Sequence, residues 1–212
     1  GAQVPHFKPP LNARGNEETF EPVQARFVRF NIARANRAEP CVDELEVFAA
    51  GKNVALASAG AKATASGVYA DGGNAFHQLA FVNDGRYGNS RSWIAKNRDN
   101  AWVQIELAKP VAINRIKWAR DREGHYADRL AVEYTFDVAT ELGQWRTVAR
   151  SADRPPTGDK AQTKLEFLLA NLKGEEAANV RHLAKRLAGD EQRLGEIHAA
   201  MRSTVYAGTF RQ

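Results

Sequence analysis

Trp102-Val103-Gln104-Ile105-Glu106-Leu107 is the stretch on which the fold turns. Apolar and polar side chains alternate along it, the period of a strand with one face in a core and one toward water. The reading extends outward. Ile113–Trp118, Ala131–Val138 and Trp145–Ala149 are strands by the same criterion. Upstream, Ala25-Arg26-Phe27-Val28-Arg29-Phe30-Asn31-Ile32 sets Val28, Phe30 and Ile32 on one side. Val42–Phe48 likewise sets Leu45 and Val47 against Glu44 and Glu46. Turn signals fall between them: Ala35–Pro40, Asp71-Gly72-Gly73-Asn74 and Asn83-Asp84-Gly85. From Gly51 to Gly67 the chain is rich in Ala, Ser, Gly and Thr, which suits short extended pieces joined by loops. Several short strands with turn-rich spacers predict a mainly β, antiparallel sandwich.

The chain has 212 residues, 43% of them hydrophobic, enough for one core and an additional element. No apolar run approaches the roughly 18–20 residues of a membrane span, so none is expected. Gly1–His6 lacks the basic start and apolar stretch of a signal peptide. The single cysteine, Cys41, forbids an intrachain disulfide and reads as a small buried hydrophobe. Cys-x-x-Cys and Cys-x-x-Cys-His are missing, which excludes a zinc ribbon and a covalently attached haem in this chain. The net charge is +5 and the pI is about 9.4. Basic residues outnumber acids between Arg86 and Arg129. That is either a mixed solvated surface or a face that attracts an anionic ligand. No helix-turn-helix pattern, RNA-binding aromatic motif or basic run points to nucleic acid.

The ends differ from the middle. Pro5, Pro9, Pro10 and Pro22 punctuate 1–22, predicted to be an N-terminal arm. The predicted β body spans 23–154. After it, 155–212 is a helical extension or linker, with a short helix at about 160–172 and a long one to Ser203. Val180, Leu183, Leu187, Leu194, Ile197 and Met201 form a heptad-like stripe, interrupted at Asp190. Such a stripe fits either a face packed within the chain or an oligomer seam.

These residues also carry a family likeness. Asn53-Val54-Ala55-Leu56-Ala57, then Ala63-Thr64-Ala65-Ser66, resembles the opening of discoidin (coagulation-factor C-type) domains. Asn83-Asp84-Gly85 with Ser92-Trp93 resembles their Asp-Gly…Trp segment. Trp102–Leu107, Ile113–Ile116 and Trp145–Ala149 are similar to three of their strands. The family's two closing strands resemble Ala25–Phe30 and Asp43–Phe48, which here come first. The resemblance therefore implies a jelly-roll-like, galactose-binding-like sandwich in circularly permuted order. Surface-lying termini make such a permutation physically accessible. The permuted order, with Cys41–Phe48 and the closing Val205–Phe210, resembles a module of planctomycete-type cytochrome c surface proteins. That implies a periplasmic, extracellular or cell-surface location and neighbouring domains of a larger protein as partners.

Family members commonly bind sugars with loops at one end of the sandwich, and several hold structural Ca2+. The matching acids here are Asp84 and Glu44, although Arg86 and Arg91 in the same loop oppose high affinity. The other reading makes Asp84 a turn former and Glu44 a surface strand residue. For a sugar, the loop Arg120–Arg129 concentrates planar polar groups and an aromatic platform. Arg120, Arg122, His125, Tyr126 and Arg129 are the candidates, joined by Trp93, Asn97 and Arg98, and by Tyr69, Phe76 and His77. Arginine forks suit sulfate and carboxylate, which makes an acidic polysaccharide the ligand class. The competing reading is an Arg–Asp lattice that merely fixes the loop. Trp102, Trp118 and Trp145 lie inside strands and are expected in the core. No Gly-x-Ser-x-Gly elbow and no His-x-x-x-His or His-Glu-x-x-His spacing occurs, so a non-catalytic role is expected. Two functions remain: a carbohydrate-binding module, or an architectural, protein-docking module without a small-molecule ligand.

Overall fold

The computed structural model describes residues 8–69, 76–155 and 161–203, with side chains described outside 161–164 and 202–203. The Asp71–Asn74 turn, the Gly1–His6 start and the Val205–Phe210 segment lie outside the described residues. Two compact units are present, a β unit within 7–157 and a helical unit within 158–212.

Among its described residues the β unit contains nine strands: β1 (Asn16–Ala35), β2 (Cys41–Val42), β3 (Glu44–Ala49), β4 (Lys52–Asn53), β5 (Lys62–Ala65), β6 (Trp93–Ile94), β7 (Ala101–Ala119), β8 (Ala131–Ala139) and β9 (Arg146–Arg150). One large sheet runs β4-β3-β7-β1-β8-β9, with β5 also on β7; β2 and β6 form a separate short pair. Every pairing is antiparallel.

The long strands β1 and β7 are each used twice. Phe27–Ile32 of β1 pairs with Glu106–Ala101 of β7, and Asn16–Thr19 pairs with Trp118–Arg115. Between these halves the register slips, at Thr19/Val23 and at Ala25/Phe27. Pro22 lies in the first slip. Pro110 lies in the stretch of β7 passed over by the second. Proline has no N–H to give a ladder, so both sit where pairing lapses and the strands can bend. The bend turns the sheet over its own core in a sandwich-like way. Phe30 and Trp118, from opposite halves of the β1–β7 ladder, meet with ring centroids 4.9 Å apart. Phe30 stacks on Phe136 at 4.2 Å, and Tyr134 packs edge-on against Trp118 at 5.2 Å. Val28, Phe30 and Ile32 are fully buried, as their alternation predicts.

Two expectations are corrected. The segment 16–22 is the first part of β1 rather than an arm, because its backbone completes the ladder to the far half of β7. Trp102 is half-buried on the face of the sheet turned away from the core, and Trp145, also half-buried, precedes β9 rather than lying inside a strand; of the three tryptophans expected in the core only Trp118 is there. Period two alone cannot say which face of a strand is inner when both carry aromatic residues.

A buried ion cluster ties down the end of the β unit. Arg154 donates to Glu18, to the Tyr134 hydroxyl, and to the carbonyls of Pro9 and Glu17. Glu18 also accepts from Tyr134 at 2.7 Å and from Lys8 at 2.7 Å. Burial and the Glu18 carboxylate hold the Tyr134 phenol far above its ordinary range.

The helical unit is α1 (Ala161–Asn171) and α2 (Gly174–Ser203), matching the predicted short and long helices. Leu165 and Leu168 of α1 and Val180 and Leu187 of α2 line a groove of about 570 Å³. Leu183, Leu187, Leu194, Ile197 and Met201 of the heptad stripe are all more than half exposed. Among the described residues no helix is long and apolar enough to cross a membrane.

Candidate functional site

The loop Arg120–Arg129 joins β7 to β8, and an acid fixes its shape. Asp121 is fully buried. Its carboxylate accepts the backbone N–H groups of Glu123 (3.2 Å), His125 (2.8 Å) and Tyr126 (2.9 Å). Asp121, Glu123 and His125 lie close enough to suggest a metal cluster. The Asp121 oxygens, however, are spent on the loop backbone, which makes the acid a cap for the turn.

The loop's arginines are pinned one by one. Arg120 is 2% exposed. It donates to the Asp128 carbonyl (2.7 Å), the Asp128 carboxylate (2.8 Å) and the Asn89 side chain (2.6 Å). Arg122 is ion-paired with Glu46, its backbone N–H meets Asp43 at 2.7 Å, and its guanidinium lies 4.0 Å over the Tyr87 ring. Arg129 is paired with Glu39 and faces Tyr69 at 5.8 Å. Of the Arg–Asp lattice given as the competing reading, the Arg120–Asp128 pair is present, while Arg122 and Arg129 pair most closely with Glu46 and Glu39 outside the loop; together these pairs make a rigid base for aromatic rings.

The rings are the accessible part. Tyr69, Phe76, Tyr87 and Tyr126 are all exposed, and the described β unit has only one other exposed large apolar side chain, Leu142. Arg120 lies 5.2 Å from the Tyr126 ring. His77 meets Ser92 at 2.8 Å, and Ser92 donates to the Asn89 carbonyl, tying the Phe76 segment to the Arg120 partner. Beside Tyr126 is a groove of about 470 Å³ lined by Asn12, Arg14 and Asn36. Arg14 forms no ion pair among the described residues and passes close over Gly124, where a Cβ would come within 2.9 Å of it.

The predicted ligand residues therefore separate. Tyr126 and His125 are exposed at the loop end, with Arg122 and Arg129 half-buried behind aromatic rings. Arg98 is exposed on the neighbouring 96–100 turn. Arg120 is corrected to a buried support. Trp93 is corrected to a core residue: it is fully buried, and its indole N–H donates to the Gly67 carbonyl at 3.0 Å. Arg14, Asn36 and Tyr87 were missed. They come from three distant segments, and no local pattern marks them.

Adjacent to this lattice lie Asp43 and Glu44, both fully buried. Glu44 accepts from the Gly85 N–H at 3.1 Å, and its other oxygen has no partner among the described residues. Gly85 has φ +80°, a conformation that glycine adopts without strain, and that turn aims the N–H. Desolvation, with the Asp84 and Glu46 charges nearby, pushes the Glu44 carboxyl up to about 9. Asp84 does form the turn, accepting the Arg86 N–H at 2.8 Å, and is ion-paired with Arg91. Glu44, in contrast, is no surface strand residue. Cys41 is buried as predicted, its thiol pushed up to about 11 by desolvation.

Compared with known family models, curated proteins and solved structures, the chain matches none.

Proposed function

We propose that the chain is a non-catalytic carbohydrate-binding module whose loop end takes an anionic glycan. The observation that carries this reading is three exposed tyrosines, Tyr69, Tyr87 and Tyr126, each set against an arginine of the fixed loop lattice. Exposed rings on a rigid base offer flat apolar area at little entropic cost, which suits the C–H faces of sugar rings. Arg14 and Arg98, without acidic partners among the described ion pairs, supply donors for sulfate or carboxylate groups.

The discoidin likeness supports the same end of the fold. Under it, the architecture is a permuted jelly roll; the pairing of Phe27–Ile32 with Ala101–Glu106 is the arrangement such a permutation requires. In that setting the module tethers a larger surface or periplasmic protein to polysaccharide.

A structural Ca2+ belongs to this proposal. The orphaned, buried Glu44 oxygen fits a hard cation, which takes carboxylate ligands. Glu44 and Asp84 would hold it, and the ion would supply charge to fix the 83–92 loop. Arg91, already on Asp84, competes and keeps the affinity low.

The test is retention of the purified chain on dextran sulfate and heparin against unsubstituted dextran and agarose, with and without EDTA. Retention on the sulfated matrices is expected. A folded chain that passes every matrix unretarded overturns the reading. The exposed α2 stripe favours a second role, docking of a neighbouring domain. Its measure is the solution mass of the chain: self-association lost on Leu187→Lys supports it, and a strict monomer that binds glycan counts against it.

A further inference from the structure

We infer that the sheet face turned away from the core carries a second binding site, built on Trp102 and fitted to an uncharged pyranose residue of a glycan. It uses none of the residues of the loop end and goes beyond that reading.

Register brings the site together. Across β7, β1 and β8, Gln104, Arg29 and Asp137 form one row, and Trp102, Asn31 and Thr135 the next. Arg29 lies 4.6 Å over the Trp102 ring and 4.4 Å over the Trp145 ring, a cation held between two indoles. Its Nε and Nη2 both donate to Gln104, at 3.0 and 2.8 Å. The acid beside it in register, Asp137, turns instead to Asn31 at 2.6 Å and Thr147 at 2.7 Å. Arg29 thus has no ion pair among the described residues. Its guanidinium acts as a brace that fixes the tilt of both rings.

A groove of about 280 Å³ adjoins Trp102 on the rows beyond Arg29. That is at the small end of the roughly 300–1,000 Å³ typical of ligand pockets, the scale of a single ring rather than a chain. Asn31, Asn100 and Thr135 line it with polar side chains, Tyr134 lines it while its hydroxyl is engaged with Glu18 and Arg154, and no charged residue lines it. Asn31 donates its amide to Asp137 and Thr135, which leaves its carbonyl oxygen facing no described donor. A braced indole beside amide and hydroxyl groups matches a sugar that brings hydroxyls and a C–H face. The cation beside it, Arg29, is engaged with Gln104 and the two indoles, with Asp137 next to it in register, so the groove itself presents no free charge to a sulfate or uronate. The two sites therefore divide by charge: arginine-rich at the loops, uncharged in the groove on the sheet.

The experiment titrates the intact chain with uncharged hexasaccharides (cello-, xylo-, manno- and galacto-oligosaccharides), read by tryptophan fluorescence. Saturable quenching or enhancement by at least one is expected. Trp102→Ala should weaken it at least tenfold, and Tyr126→Ala should leave it unchanged. Because Trp102 is half-buried, Ala33→Glu serves as a second variant: it places bulk and charge in the groove from an exposed position and should weaken binding as strongly. No response to any neutral oligosaccharide overturns the proposal, as does binding that survives Ala33→Glu in a folded chain. Sulfated-matrix retention, lost on Tyr126→Ala and kept by Ala33→Glu, reports the loop end separately.

Discussion

Glu44→Gln should make the protein more stable at neutral pH, and increasingly so as the pH rises. The Glu44 side chain is fully buried, with one oxygen on the Gly85 N–H and the other unpartnered. Its carboxyl is held at about 9 against an ordinary 4.5. A folded-state value above the unfolded one means that the stability is present in full below pH 4.5 and is lost as the pH rises toward 9. Each pH unit in that window costs about 1.4 kcal/mol. By pH 7 the loss is on the order of 3 kcal/mol, since the unfolded chain ionises Glu44 and the folded one does not. Glutamine keeps the shape without the titration; its amide carries one more N–H donor than a protonated carboxyl has O–H, an offset that does not vary with pH. The assay is urea unfolding of both proteins in EDTA at pH 5.5, 7 and 8.5. Subtracting one from the other cancels the titrating groups that do not interact with Glu44. The variant's advantage should grow by about 1.4 kcal/mol per pH unit. Added Ca2+ should restore the wild type and leave the variant unaffected, because a cation replaces the proton on Glu44. A wild type and variant that run parallel across this range in EDTA would refute a neutral, buried Glu44.

Two further outcomes follow from the packing. Arg154→Ala strands the buried Glu18 carboxylate and should cost about 3–5 kcal/mol in urea unfolding; adding Glu18→Gln should recover part of that loss, and a loss below 1 kcal/mol would show that the cluster is solvated. Phe30→Ala removes the ring against which Trp118, Tyr134 and Phe136 pack, and should cost about 3–5 kcal/mol with loss of near-ultraviolet circular dichroism.

The strands were legible because their side chains alternate, and the two helices because Ala, Leu, Glu and Arg fill 161–203. Asn16–Pro22 was not. Its acids and Pro22 read as a loop, and only pairing with the far end of β7 makes it a strand. The Arg120–Arg129 loop was identifiable by composition, yet sequence could not assign roles within it. Arg120 and Tyr126 are near neighbours in the chain, but Asp128 and Asn89 draw one inward while the other stays at the surface. Trp93 resembled a platform because it follows a polar turn; its pairing with Val42 instead puts it in the core. The Trp102–Arg29–Trp145 stack joins residues from three segments, and it exists only once the register is set.

The most direct measurement is retention of the double variant Tyr87→Ala/Tyr126→Ala on the sulfated matrix that best holds the wild type. The substitutions leave the net charge of +5 untouched, so a merely electrostatic interaction would persist. Loss of retention with an unchanged melting temperature is the result expected of a glycan site built on exposed rings. Undiminished retention would contradict it.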